Sequence, residues 1–253
     1  MHALLTILSI LLTTTVVADS AGCPKYDHKI YRHWIDEDKD CQNARHEVLI
    51  EETLSTVGFK TSKGCRVLSG SWNDPYSGRT IIDATKLDID HMVPLKEAHE
   101  SGGHAWDVYR KRYYANDLSD PNTIIAVDRG LNRQKGAGDP AEWLPPNKAY
   151  QAEYAQAWVA VKLKWGLTAD AKEIEVLRTL LGAEADLPIM AEECSGAINP
   201  LSAKLPVVEV DCSAKKYCKD MSIYDEARAY LIQCGMKNLD RDGDGVPCEA
   251  LCD

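Results

Sequence analysis

The stretch Leu87–His99, LDIDHMVPLKEAH, is the richest in side chains that can do chemistry. In an extended strand Asp88 and Asp90 share one face while His91 points to the other. A carboxylate offers a hard anionic oxygen to a cation, and an imidazole titrates near neutrality and can accept a proton. An Asp-His pair alone is common. Its context here is SDPNTIIAVDRGLNRQKG, which adds Asn122, Asn132, Arg133 and Lys135, with Arg129 close by. Asp88 reads better as an exposed strand residue than as a partner of that group. His91, His99 and His104 invite a zinc reading, but they lack the i, i+4 spacing of a helical His pair and have no obvious further ligand.

These residues need elements to position them. Asn43–Val57 has Val48, Leu49 and Leu54 at helical spacing, with Gly58 as a stop. Arg66–Asp83 reads as a hairpin around the turn-rich Asn73–Gly78. KLDIDHMVPL is a short extended segment ended by Pro94, and Thr123–Val127 is a β-branched run expected to form a buried strand. The NRQKG segment is expected to open a helix. A strand ending in Asp-His, a second strand preceded by Asn, and then Asn-Arg-x-Lys-Gly is the layout of a ββα-metal fold. Tyr150, Tyr154, Trp158, Val161 and Trp165 make one apolar helical stripe ending at Gly166, and Asp170 with Glu173 forms a capping box for the next helix. The stripe reads as core.

Composition sets the compartment and the scale. The 253 residues suffice for one substantial core and a small module. Residues 1–18 are expected to be a secretory signal: the apolar run is short for a span of roughly 20 residues and ends in Val16-Val17-Ala18. A lipidated Cys23 is a weaker alternative. Nine cysteines without a C-x-x-C pair point to disulfides in an oxidising compartment, with Cys41 and Cys65 a candidate bridge. The odd count leaves at least one unpaired within the chain. The formal charge of −10 does not favour nucleic-acid binding, although acidic clusters at metal sites can account for it. YRKRYY, Tyr109–Tyr114, reads equally as a phosphate-binding patch or a solvated helix face.

Two acidic loops stand apart. DEDKDCQNARHE, Asp36–Glu47, places Asp36, Asp38, Asp40 and Glu47 at the first, third, fifth and twelfth positions of an EF-hand loop, but Cys41 stands where such a loop needs glycine. It is either a calcium site or a solvated acidic turn. LDRDGDGVPCE, Leu239–Glu249, begins like a calcium loop, yet Glu249 arrives two residues early.

Over about Tyr26–Leu167 the sequence resembles the secreted HNH endonuclease family akin to the C-terminal nuclease domain of GmrSD-type restriction enzymes. WIDEDKDCQNARHEVLIEE, DPYSGR, LDIDHMVPLKEAH, YANDLSDPN and NRQKGAGDPAEWLPP carry the likeness. Cys212–Cys252 resembles the Excalibur domain through Tyr230-Leu231, Cys234-Gly235 and LDRDGDGVPCE. The resemblances imply an α+β protein: a ββα-metal nuclease core with surrounding helices over 22–185, a linker over 186–210, and a disulfide-stapled, EF-hand-like calcium module over 211–253.

The implied chemistry is phosphodiester hydrolysis leaving 5′-phosphate ends. His91 would be the general base and Asn122 would orient its ring. Asp90 and Asn132 would hold Mg²⁺ or Mn²⁺, while Arg129, Arg133 and Lys135 would meet phosphate. Asp240, Asp242, Asp244, the Val246 carbonyl and Glu249 would hold structural Ca²⁺. DNA is the expected substrate, with RNA as an alternative and little sequence preference. The protein is expected to be a secreted or periplasmic monomer with no transmembrane span in the mature chain. The competing reading is a calcium-dependent extracellular binding or cell-surface module whose HNH-like part is inert. The intact Asp90, His91, Asn122 and Asn132 argue against it.

Overall fold

The computed structural model describes residues 25–182, 210–221, 224–241 and 247–248. The expected signal segment, residues 186–209 of the expected linker, and Cys23, Cys194 and Cys252 lie outside the described residues.

Helix α1 (Ala44–Glu51) begins where the Asn43 side chain accepts the His46 N–H. It ends at Glu51, well short of the expected Val57, and Leu54 is exposed. The backbone there bonds elsewhere: the Leu54 N–H donates to Ser71 O at 2.7 Å. Next to it, the Glu52 carboxylate accepts the Ala126 N–H at 3.0 and 3.2 Å. Burial pushes the Glu52 carboxyl up to about 7, opposed by that hydrogen bond. Because this folded-state value lies above the unfolded one, the charged form weakens the fold. Stability from this group is full below about pH 4.5 and is lost as pH rises toward 7. Glu52→Gln should therefore gain stability relative to wild type across that window and hold the gain above it, read as the difference between their pH–Tm profiles. A difference independent of pH would exclude the assignment.

Strands β1 (Gly58–Phe59), β2 (Val67–Asp74) and β3 (Arg79–Asp83) form an antiparallel sheet in that order. The expected hairpin is present. Its turn is organised by buried Asp74, whose carboxylate accepts the Tyr76 N–H at 3.2 Å and the Ser77 N–H at 3.0 Å. Gly78 supplies the left-handed residue at φ +70°.

Strands β4 (Leu87–His91) and β5 (Ile124–Asp128) pair antiparallel in a second sheet, with Asp90 opposite Ile125 and His91 opposite Ile124. Helices α2 (Leu95–Glu100) and α3 (Val108–Ala115) lie between them in sequence. Helix α4 (Arg129–Lys135) follows β5 directly, completing the ββα unit. NRQKG closes this helix rather than opening it. The Asp128 carboxylate caps the Gly130 and Leu131 N–H groups, so the helix starts ahead of Asn132 and stops at Gly136, φ +57°.

Alternate residues of β5 serve two cores. Ile125 and Val127 join Tyr76, Met92, Tyr114 and the stripe of α5 (Gln151–Trp165); Ile124 and Ala126 join Leu49, Trp72, Leu87 and Ile89. The stripe residues Tyr154, Trp158, Val161 and Trp165 are buried as expected, and Gly166 ends the helix at φ +64°. The capping box at Asp170–Glu173 starts α6 (Ala171–Leu181).

The C-terminal segment has its own small core of Met221, Ala227, Tyr230, Leu239 and Cys248 around α7 (Tyr224–Cys234). Bridges Cys212–Cys234 and Cys218–Cys248 staple it, and Cys41–Cys65 forms as expected. Arg228 on α7 pairs with Asp107, the cap of α3. Among the described residues no helix is long and apolar enough to cross a membrane.

Candidate active site

The C-terminal end of β4 and the turn after it border a cleft of about 340 Å³. Asp90, His91 and Asn132 all line it, although they come from two elements. Neighbouring strand residues normally face opposite ways. Here the cleft wraps the strand end, and Pro94 and Leu95 continue its wall.

Asp90 is buried and tightly held. Its Oδ2 accepts the Tyr76 hydroxyl at 2.5 Å and the Lys135 ammonium at 2.5 Å. Lys135 Nζ also donates to the carbonyls of His91 at 2.9 Å and Met92 at 2.8 Å. Burial raises the Asp90 carboxyl and lowers the Lys135 ammonium, and their mutual contact opposes both shifts. Lys135, expected to meet phosphate, is instead an internal clamp. The helix turns its last side chain inward, beneath the turn it pins, and Lys135 does not line the cleft. Tyr76 is a residue that sequence reasoning missed. Its signal was the DPYSG turn, which buries the ring and aims the hydroxyl at Asp90.

His91 is buried between Trp34 and Tyr114, with ring centroids 5.8 and 6.0 Å away. Its Nε2 lies 3.0 Å from the carbonyl of Ala115. A carbonyl only accepts, so Nε2 carries the proton and the neutral ring has its lone pair on Nδ1. Burial pushes the imidazole down to about 3, with the Ala115 carbonyl opposing. The orienting role expected of Asn122 thus falls to a backbone carbonyl. Asn122 is exposed, and its amide donates to Asp120 Oδ1 at 3.1 Å. A side chain in the short SDPN turn bonds most readily within that turn.

The donor set fits a hard divalent cation. Both hydrogen bonds to Asp90 fall on Oδ2, leaving Oδ1 without a donor among the described residues, and the Asn132 amide borders the same space. One carboxylate and one amide leave room for water and a phosphate oxygen in the shell, as Mg²⁺ requires. Arg133 is exposed and reaches Asp88 at 3.7 Å, leaving its guanidinium largely in solvent. Arg129 is half-buried at the start of α4 and, like Arg133, does not line the cleft. The cations of YRKRYY are committed to the fold. Arg110 donates to Trp165 O and lies over the Trp106 and Trp165 rings, Lys111 donates to His104 O, and Arg112 pairs with Glu37.

Among the described residues, Asp36, Asp38 and Asp40 bring their carboxylates within 4.8 Å of one another. Glu47 is outside that group, in the first turn of α1. Of the C-terminal loop, Asp240 is described, whereas Asp242, Asp244, Val246 and Glu249 lie outside the described residues.

The comparisons with known proteins agree with this layout. Residues 44–180 match the family described as GmrSD restriction endonucleases, C-terminal domain, and residues 215–249 match the Excalibur calcium-binding domain. A curated relative, an uncharacterized secreted protein of Arthroderma benhamiae, is 35% identical over 156 residues, covering 62% of this chain and 74% of its own. No solved structure matches. The chain is therefore an α+β protein with a nuclease-family domain followed by a calcium-binding-type module, and it belongs to the family of GmrSD restriction endonuclease C-terminal domains.

Proposed function

We propose that this protein is an exported, metal-dependent endonuclease that hydrolyses nucleic-acid phosphodiesters with little sequence preference. The observation that supports it most strongly is the meeting of Asp90, His91 and Asn132 in one cleft. Asp90 Oδ1 and the Asn132 amide oxygen would hold Mg²⁺ or Mn²⁺, which when bound supplies Lewis-acid stabilisation of the phosphoryl and leaving oxygens.

The protein's own residues do the rest. His91 is neutral before substrate arrives, so Nδ1 is free to take a proton from the attacking water. The negative phosphodiester raises the proton affinity of the ring as it enters. Tyr76 and Lys135 fix the Asp90 carboxyl group in place and favour its ionised form. Arg133 is available to track the flanking phosphates. Attack on phosphorus with departure of the 3′ oxygen leaves 5′-phosphate and 3′-hydroxyl ends. Export is supported by the apolar N-terminal run, the disulfides and the secreted fungal relative.

The calcium sites are structural in this reading, the C-terminal loop through Asp240, Asp242, Asp244, Val246 and Glu249, and a second at Asp36, Asp38 and Asp40. Calcium calorimetry should resolve two binding events, of which Asp36→Asn removes one; an unchanged isotherm for that variant would eliminate the second site. The catalytic reading is tested by incubating mature protein with plasmid in Mg²⁺ or Mn²⁺, with and without EDTA. Cleavage dependent on metal and ending in 5′-phosphates is expected. Plasmid, single-stranded DNA and single-stranded RNA all left intact under every metal condition would refute it.

A further inference from the structure

Residues 26–34 supply a whole wall of the cleft, through Tyr26, His28, His33 and Trp34. This segment precedes the matched nuclease region, which begins at residue 44. It is held rigidly. Tyr31 is fully buried, with its hydroxyl 3.3 Å from His99 Nδ1. Asn116 grips the chain on both sides of Trp34: its Nδ2 donates to Arg32 O at 2.7 Å and its Oδ1 accepts the Ile35 N–H at 3.0 Å. Between those anchors Trp34 sits at φ +59°, a left-handed conformation that a bulky residue adopts only when its surroundings impose it. The result is an indole laid over His91 at 5.8 Å and edge-on to His33 at 5.1 Å. Asn116 directly follows Ala115, whose carbonyl holds His91, so the end of α3 fixes the base and the aromatic wall together.

We infer that this wall, with Trp34 at its centre, is a stacking platform for an unpaired nucleobase, and that the enzyme acts on single-stranded nucleic acid in preference to duplex. The inference rests on the nuclease reading for its ligand class. Two further observations favour it. In a duplex both faces of each base are covered by neighbours, whereas an unpaired base can lay its π-face on an aromatic ring beside the scissile phosphate. Duplex binding draws instead on many phosphate contacts. This chain carries a net charge of −10, and Arg110, Lys111 and Arg112, its longest run of consecutive cations among the described residues, are turned into the fold. Imidazole and indole groups in a cleft about the size of one nucleotide suit a splayed strand better than a cylinder.

The test uses the full mature protein in Ca²⁺ without Mg²⁺ or Mn²⁺, with the probes checked to be uncut. Binding is measured for a fluorescein-labelled single-stranded DNA, an RNA of the same sequence, and a hairpin duplex of equal length. Wild type should bind at least one single strand about tenfold more tightly than the hairpin. Trp34→Ala should lose about tenfold for that strand and little for the hairpin, while Trp34→Phe, which keeps a ring and the fold, should retain most of the affinity. Equal or tighter hairpin binding by wild type would overturn the inference, as would Trp34→Phe and Trp34→Ala weakening both probe types alike. Plasmid cleavage in Mg²⁺ is read separately, so the nuclease reading can stand if the strand preference fails.

Discussion

His91→Ala should slow cleavage by about 10²- to 10⁴-fold, the usual contribution of a positioned general base. The loss should fall equally on kcat and kcat/KM, because Nδ1 interacts with its proton only as the water attacks. The substitution also strips the Ala115 carbonyl of its donor, costing about 1–3 kcal/mol of stability. Activity is therefore to be measured in single turnover well below the variant's Tm, with folding checked by near-ultraviolet circular dichroism. Added imidazole should restore part of the rate, since the cavity left behind opens onto the cleft. A folded His91→Ala protein cutting at the wild-type rate would remove His91 from the chemistry.

The second large effect lies away from the cleft. Lys162 on α5 is fully buried and donates to Glu97 at 2.7 Å, Glu173 at 2.8 Å and Thr168 O at 2.7 Å. Through it α5 and α6 grip α2, the helix that follows the turn after β4. Burial pushes the Glu173 carboxyl up to about 7, with Lys162 opposing. Lys162→Met keeps the apolar stem but leaves two carboxylates facing each other without a cation. It should cost about 3–5 kcal/mol in denaturant unfolding at neutral pH. Adding Glu173→Gln to that variant should recover part of the loss, because the penalty comes from an uncompensated charge more than from a missing contact. A single variant within about 0.5 kcal/mol of wild type would show that the network contributes little.

Much of the site was legible in the sequence because its signals are local. The Asp-His strand end, the Pro after it, the β-branched TIIAV run and the DPYSG turn each fix their own backbone, and the ββα unit follows from their order. The Asp170–Glu173 box and the α5 stripe were legible for the same reason. What escaped depends on distant partners. Nothing near Lys135 reveals that its ammonium ends against Asp90, forty-five residues away in sequence. The early end of α1 reflects Glu52 reaching Ala126 in β5, and the role expected of Asn122 passed to a carbonyl on α3. Trp34 and His33 gave no periodic signal at all. Their placement depends on Asn116, which is remote in sequence and looks like an ordinary turn residue.

On the proposed reading a divalent metal at Asp90 and hydrolysis beside His91 belong to one site. Manganese titration followed by electron paramagnetic resonance, on calcium-saturated protein assayed in parallel for plasmid cleavage, tests it most directly. Wild type should bind one Mn²⁺ with cleavage rising in proportion to its occupancy, and Asp90→Asn should lose both together. A folded Asp90→Asn protein that cleaves at the wild-type rate, with or without bound Mn²⁺, would show that the metal and the hydrolysis do not share this site.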